Sequence, residues 1–325
     1  MERQIKSICA IVVTYNRKKL LIRCIKELLK QNYPLNSILI IDNASTDQTF
    51  EALCNFFDSS ATIKDEEVIT LTQTLQKTKI LIYRTCKNIG GAGGFHTGIK
   101  IAREMNTFQA YWLMDDDGYP NTYCLETLLQ YIDQYNYVMP VSIDIENHTK
   151  LSWASRLKEK KKKTLIYNEL KNSWGEIMYY VYPFNGCLFN NFLIDTVGNI
   201  KKELFIWGDD YEHYFRCLKK GIKPITITNA KFYHPANKIQ THPILFNKIQ
   251  IPYVESKLRF VCLIRNWAYI YKTNNQYWHM LRSFIAYSWL FLITRKFDFE
   301  GYKLYLKAFI DGITEKFNRH LKYLN

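Results

Sequence analysis

The sequence lacks paired cysteines, long apolar runs and an excess of acidic residues, and each absence excludes a class of protein. Its eight cysteines are scattered and include no Cys-x-x-Cys pair, which excludes the ligand spacing of zinc ribbons and the cysteine density of disulfide scaffolds. The N-terminal apolar run is short and leads into polar residues from Thr14 onward, unlike a signal peptide. We therefore expect a protein that starts and stays in the reducing cytoplasm.

Basic residues outnumber acidic ones in a chain long enough to bury a sizeable core. The 325 residues are 47% hydrophobic, and 44 Lys plus Arg against 30 Asp plus Glu leave a net charge of +14. This charge favours a polyanionic neighbour, such as nucleic acid, anionic lipid or a phosphorylated substrate. The chain shows no nucleic-acid-binding motif, and the acidic triplet at 115–117 would repel a phosphate backbone unless metal intervened. We therefore predict no nucleic-acid partner.

Apolar β-branched runs alternate with helical patterns in the first third of the chain. The run SICAIVV precedes a helical pattern at 18–30, and SILII precedes a second helix capped by Ser45 or Thr46. Strand, helix, strand, helix opens a doubly wound, mostly parallel sheet of an α/β protein. KILIYR and AYWLM add two strands, whereas residues 58–79 match no template and are interpreted as an insertion or mobile connection.

Polar residues gather where these candidate strands end. In parallel sheets, ligands bind beyond the carboxyl ends of the strands. We therefore expect one rim to be lined by Thr14 to Arg17, Asp42 and Asn43, Asn88 to Gly91, and Asp115 to Asp117.

The triplet at the end of AYWLMDDDGYP suits a divalent cation. Alternation along an extended chain places Asp115 and Asp117 on one side and Asp116 on the other. Hard carboxylate oxygens bind Mg²⁺ or Mn²⁺, commonly together with substrate phosphates. The alternative that stays open is a solvated acidic turn before Gly118 and Pro120.

Two further segments have a functional and a structural interpretation. NIGGAGGFHTGI holds five glycines up to Gly98, which would let backbone N–H groups approach a ligand near a helix start, but such a segment is more often a tight turn than a phosphate site. In WGDDYEHYFR, the acidic residues Asp209, Asp210 and Glu212 lie at a helix N-terminus. This position suits a general base, but acidic residues also occur there simply because they interact favourably with the helix dipole. His234 could close a metal site or be structural.

Together these motifs resemble the inverting nucleotide-sugar glycosyltransferases of the GT-A fold that form family 2. The resemblance covers roughly the first 235 residues and rests on VVTYNR, IIDNASTD, NIGGAGGF, WLMDDDGYP, WGDDYEHYFR and the following His234. The glycine segment and the full MDDD look most like the galactofuranosyltransferase branch. The resemblance implies a GT-A fold, a Mn²⁺ or Mg²⁺ cofactor and a UDP-sugar donor. The branch implies that the transferred sugar is galactofuranose, and the alternatives are transfer of rhamnose or of another sugar.

The roles of single residues follow from that resemblance. It implies nucleotide binding by Thr14, Arg17, Asp42, Asn88 and Asp116; metal binding by Asp115, Asp117 and His234; catalysis by Asp210 with Asp209; and acceptor binding by Trp207. Gly208 separates Trp207 from the acid pair, which leaves the division of labour between Asp209 and Asp210 open. A metal-dependent nucleotidyltransferase would share the carboxylates but would not need WGDDYE.

Residues 236–325 differ in composition from the predicted catalytic domain at 1–235. Residues 246–325 carry 13 Lys plus Arg and 5 Asp plus Glu, a net charge of +8. The apolar run at 283–294 is shorter than the about 20 residues that span a bilayer. We predict a helical region that holds the enzyme at the anionic inner face of the cell membrane, near a lipid-linked glycan acceptor. A buried helix or a homo-oligomer contact is the alternative.

Overall fold

The alternating apolar runs of the N-terminal part form the strands of one large sheet. The structure, a computed structural model, describes residues 7–75, 78–159, 162–180, 184–236 and 241–324. Its strands are β1 Ile8–Thr14, β2 Ser37–Asp42, β3 Val68–Leu75, β4 Thr78–Arg84, β5 Ala110–Asp115, β6 Tyr119–Pro120, β7 Tyr137–Asp144, β8 Lys150–Arg156, β9 Lys163–Ile166, β10 Ile177–Met178, β11 Cys187–Asn190, β12 Ile225–His234, β13 Thr241–Ile244 and β14 Ile249–Pro252.

Helices connect these strands and make up most of the C-terminal part. They are α1 Lys18–Leu29, α2 Thr49–Phe57, α3 Gly90–Glu104, α4 Cys124–Leu128, α5 Ile132–Tyr135, α6 Tyr167–Trp174, α7 Asn191–Val197, α8 Asp209–Lys219, α9 Lys257–Thr273, α10 Tyr277–Trp289 and α11 Phe299–Ile313. A π-helical turn, Leu290–Thr294, continues α10. None of the helices in the described ranges is both long and apolar enough to cross a membrane.

The sheet confirms the predicted α/β architecture. Its main path runs β10-β12-β7-β11-β5-β1-β2-β4-β3. The pairs β1 with β2, β1 with β5 and β2 with β4 are all parallel, while β11 is antiparallel to both of its neighbours. β1 and β2 are buried along their whole length. Such burial is typical of central parallel strands covered by helices on both faces.

The prediction for residues 58–79 is wrong for 68–75 and 78–79, which are half of the described part of that segment. Residues 68–75 form β3, which pairs antiparallel with β4 at the sheet edge. Ile69 and Leu71 alternate with threonines, so a period-two signal was present. The polar residues between them masked it, because an edge strand buries only part of its surface. Residues 76–77 lie outside the described part.

The glycine-rich segment is helical almost throughout, which corrects the expectation of a tight turn. α3 already begins at Gly90. A Cβ on Gly94 would lie 2.5 Å from Val13 Cγ1, and one on Gly98 would lie 2.4 Å from Ile11 Cγ2. Gly94 and Gly98 therefore allow α3 to pack directly on β1, which explains these two glycines without a ligand.

Replacing Gly98 by alanine should destabilise the protein, because the new methyl group meets Ile11 and Ile41 in two buried strands. Overpacking of this kind costs about 1–3 kcal/mol. Urea unfolding of Gly98→Ala measures the loss as a lower midpoint at an unchanged slope. Gly91→Ala is the matched control, since a Cβ there has nothing within 4 Å. Equal midpoints for the two variants would contradict the packing argument.

The chain divides into two compact units. The first comprises Met1–Lys202 and Arg216–Asn237, and the second comprises Glu203–Phe215 and Lys238–Asn325. The second unit thus includes the segment with the tryptophan-led acidic motif, which the predicted division after residue 235 assigned to the first. Residues 237–240, just beyond that predicted boundary, lie outside the described part.

Each unit has its own core. In the first, β1, β2, β4 and β5 contribute the buried aliphatic side chains, with α1 packed against them. In the second, an aromatic cluster joins α9, α10 and α11 and is centred on Phe260, Tyr287, Phe291 and Tyr305. Tyr287 and Tyr305 stack with ring centroids 5.1 Å apart. Large rings of this kind each bury about 150–250 Å² of surface.

Candidate active site

The carboxyl ends of four parallel strands meet at one edge of the first unit, as predicted. Register places Thr14 opposite Asp42, Asp42 opposite Arg84, and Val13 opposite Asp115. The polar residues that follow each strand therefore share one rim, which is where parallel sheets bind ligands.

The loops after β1 and β2 hold each other in place. The Asn16 amide donates to Ser45 Oγ at 2.9 Å, and Asn16 Oδ1 accepts from the Thr46 amide at 2.7 Å. Asp42 is buried, and its Oδ1 accepts from the Ser45 amide at 2.9 Å. Burial raises the pKa of Asp42, while Ser45 partly offsets that effect. Asp42 thus shapes the loop that follows it, and Arg84 Nε lies 3.8 Å from its second oxygen.

Asn43 organises the start of the glycine segment. Its Nδ2 donates to the Gly90 carbonyl at 2.9 Å, and its Oδ1 accepts from the Ile89 amide at 3.0 Å. Asn88 Oδ1 accepts from the Gly90 amide at 2.8 Å. The predicted nucleotide-binding residue Asn88 therefore also bonds to the first residue of α3. Sequence reasoning placed Asn43 on the rim but missed this role, since nothing local distinguishes it from a turn residue.

Asp116 is the buried member of the acidic triplet. Thr14 Oγ1 donates to its Oδ2 at 2.6 Å, and Arg17 Nη1 donates to its Oδ1 at 3.1 Å. Burial raises the pKa of Asp116 to about 6, against the opposing effects of Thr14 and Arg17. Three predicted nucleotide-binding residues, Thr14, Arg17 and Asp116, thus lie together.

The same Arg17 Nη1 also donates to Asp117 Oδ2 at 2.8 Å. Asp116 and Asp117 therefore both reach one guanidinium, which corrects the prediction that alternation separates them. The physical reason is that β5 ends at Asp115, so the extended geometry that alternation requires stops there.

A close approach of two strands brings His234 to the triplet. β6 pairs antiparallel with β12, so that Tyr119 lies opposite Tyr233. A Cβ on Gly118 would lie 2.3 Å from Phe232 Cε1 and 2.8 Å from the Tyr233 carbonyl oxygen. Only glycine allows the chain to pass so close to β12. His234, the next residue of β12, thereby reaches Asp117 from far along the chain.

Asp117 and His234 form a pair that a cation would complete. His234 Nε2 lies 3.2 Å from Asp117 Oδ1, and His234 Nδ1 lies 2.7 Å from the Pro235 carbonyl oxygen. Nδ1 therefore carries a proton, which leaves a lone pair on Nε2 whenever the ring is neutral. Among the residues that the structure describes, the buried Asp117 Oδ1 has no hydrogen-bond partner other than this imidazole nitrogen, which can donate only when the ring is protonated. A carboxylate oxygen and an imidazole nitrogen are suitable ligands for Mn²⁺ or Mg²⁺.

Asp117 and His234 shift each other's pKa in opposite directions. Burial by itself would raise the pKa of Asp117, but His234 and Arg17 hold it below its ordinary value. Burial would likewise lower the pKa of His234, and Asp117 raises it instead. Burial raises the pKa of Asp115, and the charges of Asp117 and Asp116 add to the rise. Without a cation, burial and the neighbouring charges therefore disfavour the ionised form of Asp115.

The three predicted metal ligands are not all assembled. Asp117 and His234 meet, but within the described ranges no group of three or more His, Cys, Asp or Glu side chains is arranged to hold an ion. Asp115 belongs to the same rim without completing such a group. Substrate phosphates commonly supply the remaining ligands of a divalent cation, so the pair fits a site that is completed when the donor binds.

Trp153 of β8 packs on His234, with ring centroids 4.7 Å apart and planes at 34°. Together with the Pro235 carbonyl, this contact sets the orientation of the imidazole. Sequence reasoning missed Trp153, because β8 joins the sheet through β7 and no local pattern links it to His234.

The acid pair belongs to the second unit, at the first turn of α8. Burial raises the pKa of Asp209 to about 8, and the charge of Asp210 adds to the rise. Burial also raises the pKa of Asp210, to about 6, against backbone N–H groups that favour its charged form. The Tyr211 amide donates to Asp210 Oδ1 at 2.8 Å. Burial and the neighbouring charge disfavour the ionised form of Asp209 more than that of Asp210, so Asp210 is the member that ionises more readily.

Trp207 precedes the pair in a constrained backbone. Its φ is +62°, and that of Gly208 is +86°. Glycine adopts the second value without strain, which explains the residue that separates Trp207 from the acids. The Trp207 side chain is partly buried.

Residues 9–192 match the profile of glycosyl transferase family 2. The chain belongs to this family. Among its relatives is the galactofuranosyltransferase GlfT1 of Mycolicibacterium smegmatis, 25% identical over 318 residues that cover 96% of this chain and 98% of the relative.

Two solved glycosyltransferase structures share the fold. The mannosyltransferase PcManGT of Pyrobaculum calidifontis, in complex with GDP-Man and Mn²⁺, superposes with a TM-score of 0.53 at 14% identity and covers 83% of this chain and 64% of that one. GalNAc-T7, with UDP, GalNAc and Mn²⁺, gives a TM-score of 0.56 at 13% identity and covers 83% of this chain and 48% of that one. The predicted GT-A architecture is confirmed by these neighbours.

In this family 2 glycosyltransferase, the matched segment holds the rim residues from Thr14 to Asp117. Asp209, Asp210 and His234 lie beyond it, so their assignment depends on the local motifs and on the geometry described above.

Proposed function

We propose that this glycosyltransferase moves galactofuranose from UDP-galactofuranose onto a glycan acceptor in the synthesis of a cell-surface polysaccharide. The observation that supports this proposal most directly is the relationship to galactofuranosyltransferase GlfT1 over nearly the full length of both chains. The segment NIGGAGGF and the triplet at 115–117 agree with it.

In the proposed reaction, the rim of the first unit receives the nucleotide diphosphate. Arg17 offers a guanidinium that recognises phosphate oxygens, while Asp42 and Asn88 line the positions expected for the nucleoside. Asp117 and His234, with Asp115, would hold Mn²⁺ or Mg²⁺, which when bound neutralises charge on a diphosphate leaving group. Trp153 and the Pro235 carbonyl keep the imidazole turned toward Asp117.

The acid pair of the second unit supplies the proposed base. Asp210 takes the proton of an acceptor hydroxyl, whose oxygen attacks the anomeric carbon as the bond to the diphosphate breaks, and the configuration inverts. A general base contributes on the order of a hundredfold to ten-thousandfold. Asp209 ionises less readily than Asp210 and, while it holds its proton, can donate a hydrogen bond to the acceptor.

The donor can be identified by thermal stabilisation and turnover. We expect UDP with Mn²⁺ to raise the melting temperature, whereas ATP and CTP leave it unchanged, because a ligand that binds only the folded state stabilises it. Among UDP-galactofuranose, UDP-galactopyranose and dTDP-rhamnose, only the first should be consumed with lipid-linked glycans as acceptors. Turnover of dTDP-rhamnose alone would make the protein a rhamnosyltransferase, and release of pyrophosphate from a nucleoside triphosphate would make it a nucleotidyltransferase.

We further propose that α10 contacts the anionic inner face of the cell membrane, where a lipid-linked acceptor would lie. Trp278, Leu281 and Ile285 share one helix face and are 66%, 47% and 53% exposed. Arg282 is exposed on the same helix, and residues 246–325 carry a net charge of +8. Exposed apolar side chains among basic ones fit an anionic lipid surface. The opposite face of the predicted apolar run is buried at Tyr287.

Flotation with liposomes tests this surface. The protein should float with anionic liposomes at low salt and remain behind with neutral liposomes or at high salt, because salt screens the attraction. Combined Trp278→Ser, Leu281→Ser and Ile285→Ser should abolish flotation. Phe192→Ser is the control, since Phe192 is 57% exposed in the first unit. A stable oligomer in solution that never floats would show that the face joins two subunits.

A further inference from the structure

Two adjacent polar residues, Arg265 and Asn266, lie completely buried in the middle of α9. The surrounding sequence FVCLIRNWAYI is otherwise apolar, so neither residue has an obvious reason to be there. Burying a guanidinium and an amide is unfavourable unless their N–H groups find acceptors. Their hydrogen bonds therefore show what they hold.

The guanidinium of Arg265 bonds to neutral acceptors drawn from both ends of the second unit. Its Nη2 donates to the Leu204 carbonyl at 2.8 Å, and its Nη1 donates to the Phe317 carbonyl at 3.0 Å and to His320 Nδ1 at 2.8 Å. Its Nε donates to Asn266 Oδ1 at 2.9 Å. This last bond orients the Asn266 amide, so that the Nδ2 group points away from Arg265.

Asn266 Nδ2 reaches the segment that leads into the acid pair. It lies 2.9 Å from the Leu204 carbonyl oxygen, 2.9 Å from that of Ile206 and 2.7 Å from that of Trp207. One amide group thus gathers three carbonyls of a four-residue stretch. α8 begins two residues after Trp207, with Asp209.

That stretch has a backbone that would not keep its shape unaided. Phe205 and Trp207 have φ values of +66° and +62°. Non-glycine residues adopt this left-handed region only where the surroundings impose it. The ring of Phe205 also packs on His320, with centroids 4.4 Å apart. Arg265 and Asn266 together hold three of the four carbonyls of this stretch.

We propose that Arg265 and Asn266 are positioning residues, which fix the backbone of residues 204–207 so that Asp209 and Asp210 begin α8 in the orientation that transfer requires. This inference rests on the proposed function, in which Asp210 is the base. It assigns a role in the reaction to residues that would touch neither donor nor acceptor.

Asn266→Asp tests the proposal, because it keeps the shape of the side chain but replaces the donor by an acceptor. We expect kcat to fall about 10- to 100-fold, since a displacement of about 1 Å at a reacting group has effects of that order. The KM for the donor should stay within about twofold, because the rim residues of the first unit are unchanged. Hydrogen exchange of the amides at 203–212 should accelerate.

Two controls separate positioning from general destabilisation. Asn274→Asp alters the same helix, but Asn274 Nδ2 donates to the Ile270 carbonyl within α9 at 2.8 Å and does not contact residues 204–207. Phe291→Leu weakens the aromatic core of the second unit. Both should retain kcat and the slow exchange of 203–212. If Asn266→Asp does not fold, Arg265→Lys replaces it, because lysine keeps the charge but loses the planar fork.

The results distinguish this inference from the proposed function. A normal kcat in Asn266→Asp, with Asp210→Asn inactive, would overturn the inference and leave the proposed function intact. The same holds if Asn266→Asp and Phe291→Leu have equal melting temperatures and Asn266→Asp loses no more kcat than Phe291→Leu does. Full activity of Asp210→Asn would overturn the proposed base and the inference with it. Unchanged exchange at 203–212 in Asn266→Asp would show that the contacts do not fix this segment.

Discussion

Asp117→Ala is expected to abolish transfer and metal-dependent binding of UDP. Asp117 is the point at which Arg17 and His234 converge, at 2.8 Å from Arg17 Nη1 and 3.2 Å from His234 Nε2. Its removal takes away both a proposed cation ligand and the counter-charge of the arginine. A loss on the order of a thousandfold in kcat corresponds to several kcal/mol of charge stabilisation in the transition state. Steady-state turnover and titration of UDP with and without Mn²⁺ measure it.

Neighbouring variants sharpen this test. Asp115→Ala should likewise lose activity, although among the described residues Asp115 does not form a three-ligand group with Asp117 and His234. Asp116→Ala should act indirectly, by releasing Thr14 and Arg17. Asp58→Asn is the control, because Asp58 is exposed at the end of α2 in a conformation that asparagine also adopts. Normal Mn²⁺-dependent activity of Asp117→Ala would refute the metal assignment.

Asp210→Asn is expected to keep UDP and Mn²⁺ binding but to lose most transfer. The amide preserves the shape and the bond from the Tyr211 amide, yet it cannot accept a proton from the acceptor. The loss should lie between about a hundredfold and ten-thousandfold in kcat, with donor affinity unchanged. Asp209→Asn should lose less, because Asp209 ionises less readily than Asp210. A loss confined to Asp209→Asn would exchange the two roles.

The pH dependence of the unmodified enzyme follows from the same pair. A base acts only when ionised, and burial raises the pKa of Asp210 to about 6. Transfer should therefore rise as the pH increases through about 6 and level off near neutrality. Asp210→Asn should remove that limb from its residual activity. Unimpaired transfer by Asp209→Asn, Asp210→Asn and the double variant would refute the general-base proposal.

Local sequence determined the strands and the chemistry at their ends. Apolar β-branched runs with helices between them predict a parallel sheet, because such strands are buried on both faces. Asp42 and Asp115 to Asp117 follow directly from where those runs stop. The same reasoning failed at β3, where an edge strand mixes threonine with its apolar residues, and at Gly90, where glycines that admit β1 were interpreted as a turn. The error at β3 concerns a polar edge strand that pairs with the next strand of the chain, whereas the error at Gly90 concerns β1, a neighbour that a local window does not contain.

Tertiary structure decided which of these groups meet. Asp117 reaches His234 because β6 pairs with β12 and Gly118 lets the strands close on each other. Arg17 binds two carboxylates that strand alternation would separate, because β5 ends at Asp115, before both of them. Arg265 and Asn266 are two polar residues in an apolar helix until the fold brings residues 204–207 against them. Sequence determines which side chains are available within an element, whereas contacts between distant elements depend on how all of them pack at once.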